Sequence, residues 1–401
     1  MRAASGCAPE ANRPDRTSAA MAERVVMAAT QEALYGRLDL ALSWSEAQLP
    51  ERERTKHVHR LHPYLGKFVP QLVEELLERY VPAGGHVLDP FAGSGTTLVQ
   101  ALESGRSATG IDVAGFNCLL MRVKTKRHNL EALRRDLTWA HEQAAAFEAG
   151  IRAPRGSTRY LRDWFAPRAA AELLHFRGLV EQVASADVLR VVLARAARSA
   201  RRAPHFDLDF PREPQHEPYW CHKHRRTCTP VGEARRFLLR YTLDTLRRIE
   251  AFGEVRAANV HAAVLHGDAR TLDLGALVDG IVTSPPYPGL IDYHEQHRYA
   301  YELLGLREHR TTELGRPARG IGRHAIREYV DGIAAVLANA RRRLRLGGAV
   351  CIVVNDRREL YDEILALAGL RLEERLERHV NRRTGRRKGE YFESILVCRA
   401  V

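Results

Sequence analysis

No apolar run in this 401-residue chain approaches the roughly 20 residues that cross a bilayer, so no transmembrane helix and no membrane partner are expected. Cysteine is sparse: the six thiols are scattered without a close-spaced framework. A disulfide scaffold is therefore not expected, and a reducing cytoplasm is the simpler setting. Internal repeats are missing too, which removes solenoids and propellers. The first thirty residues lack a continuous apolar core and a cleavage-like end, so they do not read as a secretory signal. Glu10, Asp15 and Glu23 speak against an organelle presequence. Residues 1–30 read as a disordered tail, with Met21 as an alternative start.

What is present is positive charge. Lys and Arg number 62 against 49 Asp and Glu, giving +13 and a pI near 9.7. That balance favours a polyanionic partner. The length suits two or three domains and a large core.

Two stretches carry chemistry. In the first, His86-Val87-Leu88-Asp89 reads as a short strand running into Pro90-Phe91-Ala92-Gly93-Ser94-Gly95-Thr96-Thr97 and then a helix. Glycines there let a ligand approach the backbone, and the helix start offers unpaired N–H groups. No Lys stands where a Walker-type phosphate loop needs one. A second strand, Ser107–Ile111, ends in Asp112, where an acidic group accepts ribose hydroxyls in doubly wound folds or simply caps a helix. In the second stretch, Gly280-Ile281-Val282 reads as a buried strand stopped by Thr283-Ser284-Pro285-Pro286-Tyr287. Two prolines fix the backbone and hold the carbonyls before them rigidly. A hydroxyl, stiff carbonyls and a ring suit a flat, amine-bearing substrate, although an ordinary Pro-Pro turn has the same local form.

Elsewhere, Pro70 opens an amphipathic run carrying Leu72, Val73, Leu76, Leu77 and Tyr80. Residues 126–259 are predicted as a helical insertion: Leu130–Phe147, Ala166–Val183, Val188–Arg202 and Val231–Phe252. Its loop holds Cys221, His222, His224 and Cys228. The spacing of the two cysteines is not that of a zinc knuckle, so no metal is expected, and Lys223, Arg225 and Arg226 read as phosphate contacts. Val260–Leu265 is a further strand, followed by Gly267-Asp268-Ala269-Arg270. The run from Gly289 to Leu304 reads as helix-like. Gly347-Gly348 are expected to stop the helix Ile326–Leu344 before a strand Ala349–Val354. Leu370–Val380 and Tyr391–Cys398 read as paired strands. Arg382, Arg383, Arg386, Arg387 and Lys388 between them are either a solvated turn or phosphate contacts.

Asp-Pro-Phe-Ala-Gly-Ser-Gly-Thr-Thr followed by Thr-Ser-Pro-Pro-Tyr resembles the amino-methyltransferases of DNA, which methylate cytosine N4 or adenine N6 with S-adenosylmethionine. The resemblance covers roughly residues 57–125 and 260–400. It implies a Rossmann-like α/β fold: a mostly parallel seven-stranded sheet with an antiparallel C-terminal hairpin. The core would be divided into residues 31–125 and 260–401, with 126–259 as a DNA-recognition region. It further implies that Lys67, Phe68, Asp89, Phe91, Gly93, Gly95, Thr96 and Thr97 line the cofactor, with Asp112 on the ribose and Asp268 against the adenine. Ser284, Pro285, Pro286 and Tyr287 would hold a base extruded from duplex DNA. No Pro-Cys dipeptide of the cytosine-C5 kind is present. Ser284 favours cytosine N4; adenine N6 and guanine N2 of tRNA are the alternatives, and a cognate restriction endonuclease is a partner the resemblance allows.

Overall fold

The computed structural model describes residues 42–45, 47–66, 69–150, 157–208, 211–380 and 392–401. The expectations for the tail 1–30, for Lys67 and Phe68, and for Arg382, Arg383, Arg386, Arg387 and Lys388 lie outside these residues.

Seven strands form one sheet: β1 (His86–Asp89), β2 (Ser107–Asp112), β5 (Ala262–His266), β6 (Val278–Thr283), β7 (Leu344–Val354), β8 (Leu370–His379) and β9 (Phe392–Ala400). A separate two-stranded hairpin is made by β3 (Tyr219–Cys221) and β4 (Arg226–Cys228). The large sheet runs β5-β2-β1-β6-β7-β9-β8. Its first five strands are parallel, and β9 pairs antiparallel with both β7 and β8. This is the mostly parallel sheet with a C-terminal hairpin that the sequence implies. The chain travels outward from β1 to β2 and β5, then crosses back to β6 and β7. Strands β1 and β6 therefore flank a switch point, where open α/β sheets form their ligand crevice.

Burial explains which strands sit inside. Ala349–Val354 of β7 are all buried, the continuous apolar run of a strand covered on both faces. At the β8 edge, Arg371, Glu373, Arg375 and Glu377 alternate along the strand, and charge on an edge discourages pairing with another chain. Helix α1 (Pro70–Tyr80) starts with Pro70 in its first turn and buries Leu72, Val73, Leu76 and Leu77 completely. Helices α2 (Thr96–Glu103) and α3 (Gly115–Thr125) follow β1 and β2.

Between α3 and β5 stand α4 (Leu130–Ala146), α5 (Arg159–Trp164), α6 (Pro167–Leu179), α7 (Ala186–Ala200) and α8 (Arg235–Val255). They share one apolar cluster with Phe116, Leu119, Leu120 and Val123 of α3, so this helical layer is continuous with the sheet's own covering. Buried Arg195 of α7 ties it together by donating to Asp244 Oδ2 (2.6 Å) and Thr245 Oγ1 (2.9 Å) of α8. No helix among the described residues is long and apolar enough to cross a membrane.

Two local expectations are corrected. The run to Leu304 is broken at His297 into a short turn, Tyr293–Gln296, and α9 (Arg298–Leu304). Gly347-Gly348 do not end a helix: α10 (Arg323–Arg341) stops earlier, and the pair lies inside β7 as an irregularity. The β6–β7 register jumps there from Val278↔Leu344 to Gly280↔Ala349. A Cβ on Gly348 would stand 2.6 Å from Leu344 Cδ1 and 2.9 Å from the Asp279 carbonyl, so only glycine lets the bulge close.

Gly110 of β2 is likewise a packing requirement, since a Cβ would meet Leu98 Cδ1 at 2.6 Å and Ala92 Cβ at 2.9 Å. Gly110→Ala is expected to destabilise the chain by about 1–3 kcal/mol, the usual cost of overpacking. Urea unfolding checks this: a lowered midpoint at constant slope is expected, and an unmoved midpoint would refute the close approach.

Candidate active site

Four strand ends converge. A cleft open to solvent is lined by Pro90, Phe91 and Gly93 after β1, Asp112 at the end of β2, Gly267 and Asp268 after β5, and Ser284 and Pro286 after β6. Asp112 and Asp268 are far apart in sequence, and the β2–β5 pairing brings them together: Gly267 N donates to the Asp112 carbonyl at 3.0 Å.

Asp89 has a different place from the one expected. It is buried, and both carboxylate oxygens are engaged within the fold. Oδ1 accepts from Thr283 Oγ1 (2.6 Å) and Phe91 N (3.1 Å), while Oδ2 accepts from Thr97 Oγ1 (2.6 Å). Burial pushes its carboxyl up to about 6 against these hydrogen bonds. Asp89 and Thr97 thus clamp the two sides of the switch point. Thr283, the first residue of the Pro-Pro motif, is the contact that fixes the motif to β1. Gly95 also serves packing: it caps α2 at φ 81°, and a Cβ there would stand 2.8 Å from Met121 Cγ.

Asp112 faces the cleft. Its Oδ1 accepts from Ala114 N (2.7 Å), and Oδ2 accepts from Gly93 N (3.0 Å) and Asn117 Nδ2 (3.1 Å). Burial pushes its carboxyl up to about 7; these hydrogen bonds pull the other way, and the Glu313 charge adds to the rise. Beneath the glycine loop, buried Lys124 of α3 donates to the Ser94 carbonyl at 2.6 Å. Ser94 Oγ and Thr96 Oγ1 in the same loop are buried and have no hydrogen-bond partner among the described residues.

Asp268 is gripped by Arg270, whose Nη2 donates to Oδ2 at 2.6 Å and whose Nε reaches both oxygens. Its burial would raise the carboxyl, but the Arg270 fork holds it below the usual range. Ser284 Oγ donates to the Val353 carbonyl of β7 at 2.9 Å. Its proton is thereby committed to the sheet, and its lone pairs are left for an incoming donor. The Pro286 carbonyl accepts from Tyr329 Oη at 2.9 Å, while Pro285 is buried. Tyr287 is half-buried outside the cleft lining, with its hydroxyl 3.5 Å from Glu393 Oε1, and Glu393 is in turn held by Arg378.

The opposite wall was not anticipated from the sequence. Tyr64, Tyr293, Thr312, Glu313 and Leu314 line it. Glu313 is buried and accepts from Tyr293 N (2.8 Å) and His294 Nδ1 (2.7 Å). Tyr64 stacks on Tyr293 with ring centroids 5.4 Å apart. The loop carrying Glu313 has no motif, so only its return over the sheet places it here. Tyr64 stands just before Lys67 and Phe68, the two residues of that segment to which the resemblance gave a role. Lys223, Arg225 and Arg226 are exposed on the β3–β4 hairpin and take no part in lining the cleft.

The wall carries three carboxylates, Asp112, Asp268 and Glu313, and among the described residues neither Lys nor Arg. Such a lining has no cation for a pyrophosphate. It suits a positively charged nucleoside: carboxylates for hydroxyl and amino groups, and Phe91, Ile111, Leu314 and Val336 as apolar walls for a flat ring. The sheet order and this cleft define an S-adenosylmethionine-dependent methyltransferase.

Comparison with known proteins then fixes the family. The N6_N4_Mtase family, described as DNA methylase, matches residues 18–120. Type II methyltransferase M.MjaII of Methanocaldococcus jannaschii is 34% identical over 448 aligned positions, spanning 90% of this chain and 84% of the relative. Type II methyltransferase M.MvaI of Kocuria varians is 36% identical over 70 residues, 17% of this chain and 15% of that protein. Among solved structures, the rRNA methyltransferase aviRa from Streptomyces viridochromogenes is 14% identical, with 84% of this chain and 88% of that chain covered and a TM-score of 0.34. The chain belongs to the N4/N6 amino-methyltransferase family of DNA methylases, and its cofactor is S-adenosylmethionine.

Proposed function

We propose that the chain methylates the exocyclic N4 amino group of cytosine at a specific site in duplex DNA, taking the base out of the helix and transferring the methyl group directly. The observation that carries this reading is the Ser284 hydroxyl. Because its proton goes to the Val353 carbonyl, Oγ meets the cleft as an acceptor, which an amino group matches and a carbonyl does not.

Bound S-adenosylmethionine supplies the electrophilic methyl group. The residues do the rest. Asp112 accepts ribose hydroxyls, and Asp268, held by Arg270, stands at the adenine end. Phe91 and Gly93 border the cofactor, while Asp89, Gly95, Thr96 and Thr97 shape its loop. An amine conjugated to its ring is a poor nucleophile. Ser284 Oγ and the Pro285 carbonyl accept its hydrogens, favouring the pyramidal nitrogen as the new bond forms. The Pro285-Pro286 backbone keeps these acceptors in place, and the Tyr287 ring, tethered at Glu393, stacks on the extruded base. Ser284 also stands at a position that, by the resemblance, is often Ser in cytosine-N4 enzymes and Asp or Asn in adenine-N6 enzymes, which supports cytosine over adenine. No covalent intermediate on the base is required.

Lys223, Arg225 and Arg226 supply phosphate contacts within the helical region 126–259, and a cognate endonuclease acting on the same sequence is the associated partner. The Lys223→Ala/Arg225→Ala/Arg226→Ala variant is expected to lower duplex affinity and flatten the slope of log K against log salt by about 2–3, roughly one for each phosphate no longer neutralised. An unchanged slope measured by fluorescence anisotropy would remove the hairpin from the interface. The deciding test of the reaction is incubation with methyl-labelled cofactor and either duplex DNA or tRNA, followed by mass analysis of the digested nucleosides. N4-methylcytosine from duplex DNA is expected. N6-methyladenine, or N2-methylguanine from tRNA, would overturn the assignment of the base.

A further inference from the structure

We propose that His205, Cys221, His224 and Cys228 form a structural zinc site that staples the β3–β4 hairpin to the chain preceding it. One ligand atom from each of the four residues lies within 4.8 Å of all the others. His222, the histidine closest to Cys221 in sequence, is not in the group. Its place is taken by His205, which lies well upstream of the hairpin.

Several features agree on this. The Cys221 and Cys228 sulfurs stand 3.6 Å and 3.5 Å from His224 Nδ1. One ring nitrogen can give or take a single hydrogen bond, so two near-equal sulfur contacts are poorly explained by hydrogen bonding alone. A tetrahedral ion with Zn–S of about 2.3 Å and Zn–N of about 2.05 Å places its sulfur and nitrogen ligands about 3.6 Å apart. Cys221-x-x-His224 is also a close-spaced pair, closed by the His224 N to Cys221 carbonyl bond at 3.1 Å. Arg225 follows with φ 51°, the left-handed residue that completes so tight a turn.

His205 is brought in independently. Its backbone N donates to Tyr219 Oη at 3.0 Å, and its ring lies 4.7 Å from that of His224. Both thiols are buried, yet neither joins an apolar cluster among the described residues. Strands of three residues in an isolated hairpin are marginal in water, and binding energy at a closed metal site is folding energy for such a segment. Two sulfurs and two imidazoles this close together suit a single tetrahedral zinc. A two-iron cluster with two cysteines and two histidines holds the two pairs on different iron atoms and so farther apart, and calcium or magnesium ask for oxygen. Close spacing of the cysteines alone misses the site, because its fourth ligand arrives only through the fold.

The test uses the full chain, purified without chelator, with zinc measured by plasma mass spectrometry. About one zinc per chain is expected. Cys228→Ser and His205→Asn should lose it, and His222→Ala should keep it. Because a ligand variant could fail to fold, the wild-type chain is also stripped and titrated with Co²⁺. Intense ligand-field bands of a tetrahedral ion together with a sulfur charge-transfer band are expected. A chain that carries no zinc and gives only the weak spectrum of octahedral Co²⁺ would overturn the proposal. Full zinc retention in His205→Asn would overturn the ligand set.

Discussion

Ser284→Ala is expected to lower the rate of methyl transfer by about 10²-fold or more while leaving cofactor affinity nearly unchanged, the pattern for a hydrogen bond that strengthens as charge develops. The neighbourhood of Ser284 makes this a clean change. The alanine removes the cleft-facing acceptor together with the hydroxyl that donates to the Val353 carbonyl, while β7 stays paired with β6 and β9. Thr283 and the Asp89 contact are untouched, so the backbone of the motif should hold its course. Single-turnover kinetics separates the chemical step from binding, and equilibrium titration of the cofactor supplies the second half of the comparison. Transfer at the wild-type rate would take Ser284 out of the reaction. A matched loss of cofactor affinity would recast it as a residue of the cofactor site.

Asp112→Ala should show the reverse pattern, with cofactor affinity weakened by about 10–100-fold, the value of charged hydrogen bonds to hydroxyl groups. A pH dependence follows from the carboxyl's position near 7 in the free chain. The ionised form is the acceptor, so affinity should hold above about pH 7 and fall as the pH drops through that value, by at most about tenfold per unit. Stability moves oppositely. The folded chain keeps a proton that the unfolded carboxyl, near 3.8, has already released, so this group makes the free protein more stable as pH falls from about 7 towards 4. Asp112→Asn should abolish the pH response of binding. Isothermal titration of both proteins between about pH 6 and 8 checks it, and a pH-independent affinity in the wild type would refute the ribose role of this carboxylate.

The same sequence carried signals of very different range. Strand, glycine loop and helix are consecutive in residues 86–103, and the Pro-Pro stop is consecutive with its strand in residues 278–287. Backbone preference and burial of neighbours determine such units locally, so the two motifs and the paired C-terminal strands were legible in the chain itself, while the parallel sheet was implied by the resemblance those motifs carry. Even Pro70 at the start of α1 belongs to this class, because a fixed φ and a missing N–H act within one turn.

Other features had no local signature. Asp89 and Asp112 both follow a short apolar strand, yet Thr97 and Thr283 enclose one carboxylate while the other opens to the cleft. That difference depends on β1 lying inside the sheet and next to β6, which is a property of strand order. Glu313 and Tyr293 enter the site because a loop without a motif returns over the strand ends, and His205 reaches Cys221 because Tyr219 draws it in. By itself the sequence determined the family, the strand-end motifs and the chemistry they could hold, since these rest on residues adjacent in the chain. The tertiary structure decided which carboxylates face the cleft, which way the Ser284 proton points and which histidine completes the cysteine cluster. Each of those depends on a partner brought from a distant part of the chain by packing, and no local pattern encodes that partner.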